Sequence, residues 1–316
     1  MANKIGRREF VKKSAQIGIS AAIGGSFICD LMDGSVQVSG KQTVDIAISS
    51  GADYIESTAR AVDLLGGIEK FVPKNSKVVI LPNAQSRHPG TYTKPEIVRS
   101  IIRMCKKAGA KEVNCLSWLT RKHWEGSGLD KAVEEEGANL KLIDMNDESL
   151  FKSVSVPKGK VLKEARIMKE FFNNDIFINI PITKDHAGNK FTGTMKNLMG
   201  LNSRKNNRTF HKEDWKTNIS SIEHLDQCIA DLNTIMKPTL CVVDATEFIT
   251  TNGPMGPGKL LKPQKIVAGV DRVAVDAYLT TLLGMEAKDI IMINRGYDHK
   301  LGEINLQKVK IKEIKI

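Results

Sequence analysis

Lys184, Asp185 and His186 follow a strand-like apolar run at 177–180 that breaks at Pro181. After a loop carrying Gly188 and Gly193, Lys196 and Asn197 open a short helical segment. Apolar strand, charged loop, then helix is how open α/β sheets build sites at the carboxyl ends of their strands. Lysines, a histidine and an asparagine at such an edge suit an anionic or carbonyl-bearing ligand. Lys184 and His186 are the candidate catalytic pair, because a partly buried lysine can act as a base and histidine moves protons near neutral pH. Lys196 and Asn197 sit near a helix N-terminus, where backbone N–H groups favour anions. The competing reading is a helix capped by Thr192 or Thr194, with a solvated lysine and a structural histidine.

Two further segments join them. The loop at 83–91 is long for an α/β connection and carries Asn83, Arg87 and His88; long loops at strand ends are usually functional. The stretch at 250–258 is too rich in Gly and Pro for regular structure, and its Asn252, Gly253 and Gly256 would bring backbone amides close to a ligand. These two loops and the 177–200 segment are expected to wall a three-sided pocket. Asp244, at the end of a buried strand, would orient a lysine or bind a metal. Asp271 reads as a helix N-cap. Asp276 falls inside an apolar helix, where an unpaired charge is costly, so Lys184 or Lys196 is its expected partner.

The elements that must position these groups alternate. Strand patterns fall at 44–48, 77–81, 111–116, 140–145, 154–156, 240–244 and 265–269, and helical patterns at 54–65, 95–108, 220–235 and 271–284. The tail from 307 alternates like an exposed edge strand guarded by lysines. Strand, loop, helix, Gly109, strand predicts a βαβ unit. The fold class is therefore α/β, a mostly parallel sheet with βαβ units, as one domain over 44–316 with room for two lobes around a central pocket.

The first thirteen residues supply +4 of the net charge of +11. The rest is moderately basic and spread out, with only 5% aromatics, so the concentrated footprint of a nucleic-acid binder is missing. Cys105, Cys115, Cys228 and Cys241 are too far apart for a C-x-x-C motif. An iron–sulfur cluster is not expected from that spacing, and buried thiols are preferred over two disulfides. No G-x-S-x-G, P-loop, H-E-x-x-H or G-x-G-x-x-G is present, which disfavours α/β serine hydrolases, Walker NTPases, zincins and nicotinamide enzymes.

Residues 1–33 read as an export signal and 34–43 as a linker. Arg7-Arg8-Glu9-Phe10-Val11-Lys12 precedes an apolar run at 17–29. It resembles the twin-arginine pattern Arg-Arg-x-Phe-Leu-Lys, with Val11 in place of leucine. The resemblance implies the twin-arginine translocation machinery as a partner and an extracytoplasmic location, with anchoring by the segment if it is not cleaved. That route carries folded proteins, often loaded with a cofactor, so it raises the expectation of one without naming it. The apolar run is short for a membrane span of about 20 residues, and none is expected in the mature body.

Three blocks in order resemble the domain-of-unknown-function family 362. They are 78–113; Pro181-x-x-Lys184-x-His186 with Thr192-Gly193-x-x-Lys196-Asn197-Leu198-x-Gly200; and Val243-Asp244, Asn252-Gly253-Pro254-x-Gly256 and Ala268-Gly269-x-Asp271-x-x-Ala274-x-Asp276. Leu81 stands where the family pattern has lysine before Pro-Asn, and the ferredoxin-type cysteines of many relatives are lacking. The resemblance implies where the site lies, not a reaction. The sequence thus predicts an exported enzyme acting on a small anionic substrate, with a non-catalytic anion- or cofactor-binding protein of the cell envelope as the alternative.

Overall fold

Strands that are apolar at every position need cover on both faces, and this chain supplies it with helices. The structure, a computed structural model, describes residues 44–316; the signal-like segment and the linker lie outside the described residues. Eight strands form the main sheet: β1 (Ile46–Ser50), β2 (Lys77–Pro82), β3 (Glu112–Ser117), β4 (Asn139–Leu142), β5 (Ile176–Ile180), β6 (Leu240–Ala245), β7 (Lys265–Gly269) and β8 (Ile311–Lys315). Their spatial order is β8-β1-β7-β6-β5-β2-β3-β4. Only β7 runs antiparallel to its neighbours, β1 and β6; the other pairs are parallel.

The nine α-helices of the described residues are α1 (Tyr54–Leu64), α2 (Pro95–Lys107), α3 (Arg121–Glu125), α4 (Leu129–Glu135), α5 (Thr194–Asn197), α6 (Arg204–Phe210), α7 (Ile219–Asn233), α8 (Arg272–Leu282) and α9 (Ile291–Asp298). The two-residue period of the strands splits the core. Val78, Ile80, Ile178 and Val242 pack with Val62, Ile97, Ile101 and Val133 of α1, α2 and α4. Val79, Leu81, Phe177 and Val243 point the other way, into a cluster with Met195, Leu225, Ile229 and Val273 of α5, α7 and α8. These clusters are the two faces of one sheet, so the two lobes allowed by the sequence reduce to one compact unit, Thr43–Ile316.

Most expected elements form within a few residues of their predicted bounds. Three regions differ. The expected loop after Pro181 is an antiparallel hairpin, Lys184–His186 with Lys190–Thr192, too short for its alternation to register. The stretch at 154–156 is one strand of a hairpin, Phe151–Ser155 with Glu164–Met168. The tail begins with a 3-10 turn at Leu306–Lys308 capped by Asn305, so the edge strand starts only at Ile311. All four cysteines of the domain are free and buried.

From β2 the chain moves outward through β3 to β4, then returns to the opposite side of β2 as β5 and continues to β6. The switch point lies between β2 and β5, and such points leave a crevice at the strands' carboxyl ends. Farther along, Asp271 caps α8 by accepting from Ala274 N at 2.9 Å, and also accepts from Glu303 N at 2.8 Å. Asp271→Ala should therefore cost about 0.5–2 kcal/mol, the range for a lost N-cap, in urea unfolding; an unchanged midpoint would refute the capping role.

Candidate functional site

A pocket of about 170 Å³ opens at that switch point. Its walls are the residues following β2 and β3, the end of the hairpin, α5, and the α6 region with His211. Asn83 leaves β2 and donates from Nδ2 to Asn197 Oδ1 at 3.1 Å. Asn197 in turn donates to Leu81 O at 3.1 Å and to Asn179 Oδ1 at 2.8 Å. Asn179 of β5 donates to Thr194 O at 2.9 Å. This chain of buried amides ties two strand ends to α5, and each amide must be paired because an orphan would cost about 1–3 kcal/mol.

Lys196 lines the pocket from α5 and is only 8% exposed. Its Nζ donates to Asn189 Oδ1 at 3.1 Å, and Asn189 Nδ2 donates to a carboxylate oxygen of Asp226 on α7. A neutral amide therefore stands between the ammonium and its nearest counter-charge. Burial pushes the Lys196 pKa down to about 8, with Asp226 opposing it. Burial also raises Asp226 to about 6, against the pull of Lys196.

Two imidazoles share the pocket. His186 Nδ1 lies 2.5 Å from Ala187 O, and His211 Nδ1 lies 2.9 Å from Asn207 O. A carbonyl oxygen only accepts, so Nδ1 carries the proton in both rings and Nε2 keeps its lone pair. Burial, reinforced by the Lys196 charge, holds His186 well below the usual histidine range and His211 at about 4. Both rings pack on Trp215, with centroids 5.4 Å and 4.9 Å away. Trp118 Nε1 and Thr192 Oγ1, on residues that line the pocket, are covered and meet no partner among the described residues. Buried donors without acceptors are uncommon enough to require an account.

The remaining expected site residues stand behind the wall. Lys184 is fully buried and donates to Thr91 O at 2.5 Å, with its pKa lowered to about 7 by burial and by the Lys196 charge. It is not among the lining residues. The third wall expected from 250–258 is instead built by Ser117, Trp118 and Leu119, because the amides of that loop are already engaged. Gly253 N donates to Asp185 Oδ2 at 2.7 Å, Gly256 N donates to Asn252 O at 3.0 Å, and Asn252 Nδ2 donates to Pro257 O at 3.0 Å. Ser86 Oγ donates to Met255 O at 2.8 Å, so this loop braces the Asn83 loop.

The supporting carboxylates also find partners other than lysine side chains. Asp276 accepts from Thr194 N at 2.6 Å and Met195 N at 3.0 Å, capping α5, and burial raises it to about 7. A Cβ at Gly193 would lie 2.4 Å from Asp276 Oδ1, so glycine is what lets that carboxylate approach. Asp244 accepts from Lys94 N at 2.8 Å at the start of α2, and from Thr246 N and Oγ1. Among the described residues no cluster of three or more His, Cys, Asp or Glu is placed to hold a metal.

Sequence reasoning missed His211, Trp118, Asn189 and Asp226. Only Asp226 left a signal, an acid inside an apolar helix like Asp276. Asp226→Asn should lower the Lys196 pKa further below about 8, since the carboxylate is what holds it up. A ¹³C-lysine NMR titration reads this directly, and an unshifted Lys196 would exclude the coupling.

Comparison with known proteins places these residues in a wider group. A thylakoid-associated protein of Synechocystis sp. is 25% identical over 245 residues, which are 75% of this chain and 72% of that protein. Two solved structures share lower similarity. The lactate racemase apoprotein of Thermoanaerobacterium thermosaccharolyticum matches at 15% identity and a TM-score of 0.47, over 76% of this chain and 56% of that one. A protein of Thermotoga maritima matches at 14% identity and a TM-score of 0.40, over 61% and 51%. The chain spans about half the length of these two structures. The profile described as Domain of unknown function (DUF362) matches residues 78–281, which contain all three sequence blocks, and the chain belongs to that family.

Proposed function

We propose that this protein is an exported enzyme whose pocket takes a small anionic substrate. Lys196 supplies the charge, and His186 with His211 supplies neutral proton acceptors. The observation that carries this reading is the ammonium itself: Lys196 faces the pocket, buried, with an amide oxygen as its only hydrogen-bond partner among the described residues. An incoming anion offers the missing counter-charge, and charge-assisted hydrogen bonds are the stronger kind. A turn of Trp118 or Thr192 would give their unpaired donors acceptor oxygens of the same ligand. The volume lies below the ~300–1,000 Å³ of drug-sized pockets, which favours a ligand of a few heavy atoms. Asn83 and Asn197 shape the wall, while Lys184 stays behind it and adds positive potential.

Titration calorimetry with small carboxylates tests this. Affinity should fall as pH rises through about 8, because Lys196 loses its proton there while a carboxylate is already ionised. Lys196→Met should weaken binding about tenfold or more. Binding that ignores both pH and the substitution would overturn the anion site. For a substrate so identified, His186→Gln should slow turnover about 100-fold; tight binding without any chemistry would instead favour a non-catalytic binder.

Export is proposed from the Arg7-Arg8-x-Phe10-x-Lys12 segment. No helix among the described residues is long and apolar enough to cross a membrane. Replacing Arg7 and Arg8 by lysine together should leave the protein in the cytoplasm on fractionation, and unchanged export would rule out the twin-arginine route.

A further inference from the structure

We propose that Lys196 is a nucleophile that condenses with the carbonyl carbon of a small oxo acid to form an imine within the pocket. This rests on the anion-pocket reading above and adds a substrate class to it. Lys196 is the only lysine lining the pocket among the described residues. Asn189 holds its nitrogen by one hydrogen bond, and the nearest carboxylate, on Asp226, is reached only through that amide. Lys196 has neither a directly paired carboxylate nor free exposure to water, the two settings that hold a lysine in its charged form. Desolvation and a neighbouring cation are the two devices that free a lysine amine for carbonyl attack. The first occurs here: burial lowers the Lys196 pKa, against the opposing pull of the Asp226 carboxylate.

The other groups that imine formation requires stand around it. The neutral amine adds to the carbonyl carbon, forming the C–N bond, while the C=O π pair moves to oxygen. An imidazole Nε2 of His186 or His211 takes the proton that the nitrogen loses, and that proton is returned to the oxygen. The resulting carbinolamine loses its hydroxyl as water: the same imidazole passes the nitrogen's remaining proton to the departing oxygen, the C–O bond breaks, and the nitrogen lone pair forms the C=N bond. One water leaves, and no oxidant or reductant enters. Trp118 Nε1 and Thr192 Oγ1, buried donors that lack acceptors on residues lining the pocket, could reach the acid's carboxylate after a turn of either side chain. Burial lowers the Lys196 pKa from the ordinary lysine value, so more of it is neutral at pH 7 than of a surface lysine.

Incubating the full chain with glyoxylate, pyruvate or 2-oxoglutarate and sodium cyanoborohydride, followed by peptide mass spectrometry, tests the proposal. The expected result is one dominant reduced adduct, on Lys196, formed at least tenfold faster than on any other lysine and faster still as pH rises through about 8. Lys196→Arg should abolish that adduct and leave background labelling unchanged; if this variant fails to fold, the peptide map of the native chain decides alone. Labelling spread evenly over surface lysines, or no Lys196 adduct with any of the three acids, would overturn the imine. Parallel calorimetry with propionate, which has no carbonyl to attack, separates the two readings. Propionate binding without a Lys196 adduct defeats the imine and leaves the anion site standing; failure of both defeats the pocket reading as well.

Discussion

A helix of four residues has no stability of its own, because nucleation fixes several dihedrals before any hydrogen bond repays it. Thr194–Asn197 is such a helix, and buried side chains from three other elements hold it. Asp276 of α8 takes the N–H groups of Thr194 and Met195 at its start. Asn179 of β5 donates to Thr194 O, and Asn233 of α7 donates to Met195 O at 3.0 Å. Asn197 then anchors the far end to β2. Every one of these groups is buried, so loss of a single partner strands another polar atom where water cannot replace it. The position of Lys196, one residue before Asn197, follows from this scaffold.

The same scaffold sets the charge of the pocket. Asp276, the carboxylate that caps α5, spends its hydrogen-bonding capacity on backbone groups, and Asp226 is reached from Lys196 only through Asn189. Positive charge is thus delivered to the pocket while the acids that would cancel it are held behind amides. The histidines respond to that field: beside Lys196 their protonation is opposed, and their Nδ1–H groups are committed to backbone carbonyls. One cationic group beside neutral imidazoles is a stable division of labour, because each protonation state makes the other easier to maintain.

The sheet was legible in the sequence because strands covered on both faces, such as Lys77–Pro82 and Leu240–Ala245, leave apolar runs bounded by turn residues. The site was legible in part. Asn83, His186, Lys196 and Asn197 carry polar chemistry at strand ends, and the structure brings them into one pocket. His211 lies in a polar stretch with no periodicity to place it, and Asn189 belongs to a hairpin only three residues deep on each side. Trp118 gave no signal because a tryptophan after a strand normally reads as core. Lys184 shows the converse failure: its sequence position is right for a site, but burial direction is a tertiary property, and its ammonium ends on Thr91 O.

The loop at 250–258 makes the same point about glycine. A glycine marks a place where something approaches the backbone closely, without saying what. A Cβ at Gly253 would lie 1.8 Å from Asp185 O, so the approaching group here is the hairpin and not a ligand. Asp185 closes that contact by accepting from Gly253 N, and its flanking residues are Lys184 and His186. The loop therefore acts on the pocket from one layer out: it fixes the strand on which His186 is carried, and through Ser86 it fixes the loop that follows Asn83. A substitution at Gly253 would be felt at His186 before it was felt anywhere else in the pocket.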